Sequence, residues 1–141
     1  MAAPSIERTI LLDDLAMSSD ELWRLVATAE GWREWLVDEA DIDVRDGAAG
    51  DVVDDGVRRA VRIGSVLHGE QISFVWSSDD TDLSHVTLRI QKTDDGRRAL
   101  HITEVPIAAC AQCPMRVEAV ASRWDLRECL LCLAAHASSR V

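Results

Sequence analysis

The sequence predicts an α+β fold: a curved antiparallel sheet wrapped around a long C-terminal helix, with two short helices after the first strand. Three observations predict it. Residues 18–36 carry apolar positions at helical spacing. From Ile42 to Val105 the apolar period falls to two, and Gly- and Asp-bearing turns interrupt it. Residues 114–137 return to helical spacing behind Pro114. A change of period from 3.6 to 2 and back is the pattern of a sheet flanked by helices.

Residues 5–12 (SIERTILL) read as the first strand. Ser18 and Glu21 stand at capping-box spacing, where hydroxyl and carboxylate each satisfy an orphan N–H. Leu22, Leu25, Val26 and Ala29 follow as one apolar face, and Gly31 suits a C-terminal stop. Trp32, Trp35 and Leu36 then predict a short second helix. Strands are expected at 42–45, 51–54, 58–66, 71–77, 84–92 and 98–105. Asp46-Gly47, Asp55-Gly56, His68-Gly69, Ser78-Asp79-Asp80 and Asp94-Asp95-Gly96 supply the turns. Ile72, Phe74 and Trp76 share a face, as do Val86, Leu88 and Ile90, and as do Leu100 and Ile102. Pro106 is expected to end the last strand. Pro114 fits the first turn of the final helix. Val117, Val120, Ala121, Trp124, Leu131 and Ala135 form its main apolar stripe. Leu126, Leu130 and Leu133 add a second stripe near its end, so this end is expected to be buried on two sides.

A chain of 141 residues at 48% hydrophobic is expected to form one domain, 1–141, with its own core. Five Trp, one Phe and no Tyr carry the aromatic volume. Net charge is −10, of which residues 1–70 hold −9. An acidic surface disfavours nucleic acid and anionic membrane. Met1 to Leu15 has no basic leader region and no long apolar run, so a cytoplasmic protein is expected. In that compartment paired cysteines are more often metal-binding, catalytic or reduced than bridged.

The cysteines stand as Cys110-x2-Cys113 and Cys129-x2-Cys132. This spacing matches a four-thiolate zinc pattern. A continuous helix from Pro114 to Ala135 would hold Cys113 and Cys129 about 24 Å apart. That separation opposes a single-chain site, and 115–135 contains no Gly or Pro to break the helix. Four readings stay open. Two chains can pack their last helices antiparallel and share the thiolates in a homodimer. Cys129, Cys132 and His136 fall within an arc of about 60° on one helix and suit zinc or another soft ion. Cys110 and Cys113 can form a redox pair at a helix N-terminus, where thiolates are stabilised. Or the thiols are inert core residues.

The element order is that of a helix-grip fold, and the local sequence resembles the SRPBCC (START-like) superfamily. Within it the resemblance is to the branch named for homology to the activator of the heat-shock-protein ATPase. The matching pieces are Glu21-Leu22-Trp23, Trp32-Arg33-Glu34-Trp35-Leu36, Gly47-Ala48-Ala49-Gly50-Asp51, Ile72-Ser73-Phe74-Val75-Trp76, Val86-Thr87-Leu88, Ile102-Thr103-Glu104-Val105 and Trp124. The resemblance implies a cavity between sheet and last helix for an apolar or amphipathic small molecule. Its wall in this chain would comprise Trp35, Phe74, Trp76, Leu88, Ile102, Glu104, Val117 and Trp124. It implies no fixed catalytic set, since members include lipid carriers and polyketide cyclases. The CxxC pairs are not part of its pattern.

Three functions follow as expectations. The first is a small-molecule-binding protein, possible stress or metal linkage included. The second is a soft-metal protein using Cys110, Cys113, Cys129, Cys132 and His136. The third is a cyclase- or hydrolase-type enzyme. It would use Glu104, which is in phase with Leu100 and Ile102 and so points inward; an Arg at the strand end is its expected partner. His85 and His101 fall on the opposite face, and His68 sits in a turn. No Ser-His-Asp set or phosphate loop is present.

Overall fold

A computed structural model describes residues 6–11, 18–78, 82–92, 98–109, 124, 130 and 131. Strand β1 (Ile6–Leu11) precedes helices α1 (Ser19–Ala27) and α2 (Ala29–Trp35). Strands β2 (Glu39–Asp41), β3 (Ala49–Asp54), β4 (Val57–Leu67), β5 (Gln71–Ser78), β6 (Asp82–Lys92) and β7 (Arg98–Ala109) follow. The seven strands form one antiparallel sheet in the order β1-β7-β6-β5-β4-β3-β2. Trp124, Leu130 and Leu131 are helical; the remainder of the expected final helix lies outside the described residues.

Strands β4 to β7 each bury alternate residues on one face. On β4 these are Arg59, Val61 and Ile63; on β5, Ile72, Phe74 and Trp76; on β6, Ser84, Val86 and Leu88; on β7, Leu100, Ile102 and Glu104. That face is the floor of the core, and α1 and α2 cover part of it. The outer face carries His85 and His101, as expected. There His101 Nδ1 lies 2.9 Å from Thr9 Oγ1 and its Nε2 lies 2.9 Å from Glu7. His68 also gains a partner, because Trp23 meets its ring edge-on at 5.4 Å.

The two helices are joined by Thr28, and this junction departs from expectation. Helix α1 begins as predicted, with Ser18 Oγ accepting from the Glu21 N–H at 3.1 Å. It ends at Ala27, four residues before Gly31. Thr28 Oγ1 donates to the Arg24 carbonyl at 2.6 Å and accepts from the Gly31 N–H at 2.9 Å. One hydroxyl thus caps the end of α1 and the start of α2. The Trp35 and Trp32 indoles donate to the Leu25 and Val26 carbonyls at 2.7 and 2.6 Å. Three carbonyls in the last turn of α1, which a helix end leaves without intrahelical partners, are therefore filled from Thr28 and α2. Arg24 braces the exposed side through a 2.7 Å hydrogen bond to Glu34. That bond holds its guanidinium above the usual range, against the opposing effect of partial burial.

Gly31 is not a stop. It lies inside α2, where a Cβ would stand 2.1 Å from the Arg24 carbonyl oxygen and 2.6 Å from Leu25 Cα. Glycine is required there by close helix approach. Two strand boundaries also differ. The alternation at 42–45 is real, with Ile42 and Val44 half-buried, but the paired strand is 39–41. Alternation reports which side faces the core; it does not report pairing. Strand β7 runs through Pro106 to Ala109. The register slips beside Pro106, between Leu83 and Ser84 of the neighbouring strand, where an irregularity accommodates the missing N–H. The Asp55-Gly56 turn is as expected, with φ of +52° and +77°, the conformation of a tight two-residue hairpin.

Two stability losses are expected from the helix junction. Gly31→Ala should destabilise the protein by about 2–3 kcal/mol, because backbone atoms must move. Thr28→Val keeps the shape but removes two capping bonds, and should cost about 1–2 kcal/mol. Urea denaturation followed by tryptophan fluorescence measures both.

Candidate functional site

A polar cluster occupies one end of the concave face. Glu104 on β7 is 1% exposed and points into the core in phase with Leu100 and Ile102. Its Oε2 accepts from the Ser84 hydroxyl at 2.6 Å and from the Trp76 indole N–H at 2.9 Å. Its Oε1 accepts from the Trp124 indole N–H at 2.9 Å. The Trp76 N–H is shared with Ser84 Oγ at 3.1 Å. An indole N–H can only donate, so both carboxyl oxygens serve as acceptors here. The sheet explains the meeting: Trp76 pairs with Ser84 across β5 and β6, and Val86, two residues on, pairs with Glu104. The expected Arg partner is replaced by two indoles and a hydroxyl.

Arg59 and Asp54 lie beside this cluster. Arg59 is 8% exposed, and its guanidinium carbon sits 5.0 Å from the centre of the Trp76 ring. A cation over an indole face is attracted by its negative quadrupole. Asp54 lies 3.9 Å from Arg59 Nε, a long ion pair held by strands β3 and β4. The Trp76 ring thus carries a cation against its face and a carboxyl group at its N–H edge.

Aromatic rings link this end to the helices. Trp32 lies 4.9 Å from Phe74, Phe74 lies 5.3 Å from Trp76, and Trp76 stacks near Trp124 at 6.3 Å. The residues expected to line a cavity therefore divide. Trp76, Glu104 and Trp124 are brought together by hydrogen bonds. Phe74 packs on Trp32, and Trp35 is tied by its N–H to α1. Leu88 and Ile102 are cross-strand partners, both buried. Val117 lies outside the described residues, as do Cys110, Cys113, Cys129, Cys132 and His136. Among the described residues no group of three His, Cys, Asp or Glu side chains could hold a metal ion. None of their helices is long and apolar enough to cross a membrane.

Sequence reasoning missed Arg59, Asp54 and Ser84. A signal for two of them was present. Arg59 shares the parity of Val61 and Ile63, and Ser84 that of Val86 and Leu88.

This geometry is a helix-grip fold: a seven-stranded antiparallel sheet with two short helices after the first strand. Similar solved structures include an Aha1 dimer and an HSP90 activator, in line with the sequence resemblance. CalU16 from Micromonospora echinospora matches with a TM-score of 0.70 at 18% identity, over 93% of this chain and 75% of its own. DynU16, from the dynemicin biosynthetic locus, matches with a TM-score of 0.77 at 14% identity, over 96% of this chain. The present chain spans about half of DynU16, 48% of its length. The Aha1 dimer from Colwellia psychrerythraea matches with a TM-score of 0.73 at 9% identity, over 94% of this chain and 96% of that one. At these identities the likeness is one of fold. No family model matches the chain, and no curated protein matches it.

The network generates a stability test. Glu104→Leu removes the carboxyl acceptor shared by two indole N–H groups and a hydroxyl, while the Trp76 N–H keeps Ser84 Oγ; a buried group left unsatisfied costs about 1–3 kcal/mol. Glu104→Gln keeps one acceptor oxygen but turns an amide NH2 toward donors, so it should cost less than Leu and more than Ser84→Ala. Ser84→Ala should cost about 1 kcal/mol. Denaturant midpoints of the three variants give the order.

Proposed function

We propose that this protein binds an apolar or amphipathic small molecule between its sheet and final helix. The bound molecule lies with its polar end at Trp76, Ser84, Glu104 and Trp124. One observation carries the reading. Glu104 is a buried carboxyl group on the concave face of a sheet whose inner residues are otherwise largely apolar. Burying such a group costs several kcal/mol unless it is well paired, and an apolar residue would fill the same space without that cost. A few convergent polar groups on an apolar wall are the ordinary composition of a small-molecule site. The fold supports the same reading, since DynU16 comes from a biosynthetic locus.

Binding fits Glu104 better than proton transfer does. Oε2 is filled by two hydrogen bonds and Oε1 is covered by the Trp124 indole, whereas a general acid or base needs an oxygen within reach of substrate. Soft-metal binding through the CxxC pairs rests on their spacing alone. Dimerisation through the final helix is supported by its two apolar stripes and by the dimeric state of Colwellia Aha1.

Addition of the apolar probe 1-anilinonaphthalene-8-sulfonate to the folded protein should enhance its fluorescence at one saturable site and quench emission from Trp76 and Trp124. Absence of saturable binding by a compact, folded protein would sink the proposal. Native mass spectra of protein purified under reducing conditions without chelator test the metal reading. Zinc in a dimer that dissociates with chelator supports it; a metal-free protein with four free thiols refutes it.

A further inference from the structure

The two oxygens of Glu104 are not equivalent, and the difference identifies the ligand's polar end. Oε2 is held from within the sheet, by Trp76 on β5 and Ser84 on β6. Oε1 accepts one bond, from Trp124. Trp124 is the only described partner of Glu104 that lies outside the sheet. A carboxylate oxygen has two lone pairs, so Oε1 accepts half of what it can and Oε2 is filled. Trp76, Trp124 and Glu104 are each 0–1% exposed, so this polar cluster is covered in this conformation. Entry of a ligand must displace something, and Trp124 is the contact that leaves the sheet intact.

We infer that Trp124 holds the place of the ligand: an incoming molecule with a hydrogen-bond-donating head, an amine or an alcohol, takes over Glu104 Oε1 as the Trp124 indole moves aside. This rests on the interior-binding reading above and adds the chemistry of the head group. The exchange preserves the number of bonds to Glu104, so the carboxyl group itself loses no partner when the site opens. A carboxylate or other acceptor-only head cannot make it, because it brings lone pairs to lone pairs. Ser84 and Trp76 are already turned toward Oε2, and Arg59 lies over the Trp76 ring face beside Asp54. The apolar tail would lie along the inner face, where Val61, Phe74 and Val86 present hydrocarbon and aromatic surface.

The test uses four probes of equal chain length on the full protein, each below its micelle concentration: dodecylamine, 1-dodecanol, laurate and dodecyltrimethylammonium. The last carries a cation without an N–H, so it controls for attraction to the acidic surface. Dissociation constants from calorimetry should favour dodecylamine and dodecanol over the other two by about tenfold, the worth of one hydrogen bond to a charged group. An equal or reversed ranking overturns the inference and leaves the interior site standing. Binding by none of the four overturns both. The Trp124→Phe variant removes the competing donor and keeps the ring. It should bind dodecylamine about threefold more tightly or better; unchanged or weaker binding counts against the exchange. In wild-type protein the Trp124 indole N–H resonance, assigned by its absence in Trp124→Phe, should shift on adding dodecylamine and stay in place with laurate. Glu104→Gln should erase the preference for donor heads. Should that variant fail to fold, the ranking on the native chain still decides.

Discussion

The buried carboxyl group of Glu104 is the constraint around which the interior is arranged. It draws one residue from each of β5 and β6 and one from the final helix to a single point. Hydrophobic packing alone is non-directional and would let Trp124 shift along the sheet. A hydrogen bond is directional, so the bond to Glu104 fixes where the Trp124 indole sits on the sheet. The same network gives the apolar core a polar end. Trp76 extends that end toward Arg59 and Asp54, so a single ring connects the neutral donors to the buried ion pair. Fully satisfied networks of this kind rigidify a core, and partly satisfied ones destabilise it.

The opposite part of the core is secured by tryptophan used differently. Trp32 and Trp35 place their rings in the core and spend their N–H groups on the end of α1. An α-helix of nine residues is too short to be stable by itself. Its stability comes from side chains of α2 that fill its terminal carbonyls, and from Gly31, which lets the two backbones touch. Sequence rich in tryptophan and lacking tyrosine therefore has a structural sense. Four of the five indoles combine a large apolar body with a single donor, and each donor has a named acceptor.

Most of the sheet was legible because one face is buried and the other is not. That condition writes period two into β4, β5, β6 and β7, and it correctly turned Glu104 inward. What escaped were features set by a single close contact or by the loss of one. Thr28 reads as an ordinary helix interior residue, since its double role depends on two helices meeting there. Gly31 reads as a stop, because sequence does not distinguish a glycine needed for its backbone from one needed for its lack of Cβ. Arg59 has the parity of a core residue, but charge suggests solvent; the Trp76 face beneath it and Asp54 beside it offset the cost of its burial. The partners of Glu104 lie 20 and 28 residues before it and 20 after, beyond the reach of any local pattern.

The pairing of the first strand with the last has a kinetic consequence. Ile6 lies opposite Glu104 and Leu11 opposite Ala99, so β1 finds its neighbour only after every other strand of the sheet has been made. During synthesis it precedes them and waits. Closing so long a loop is slow, because chain entropy is lost before contacts reward it. The local hairpins from β3 to β6 can form earlier, each from adjacent sequence. The molecule should thus assemble from its middle outward, with β1 joining β7 late. Until then an unpaired apolar strand lies exposed on the ribosome-tethered chain, the period of greatest exposure to wrong partners.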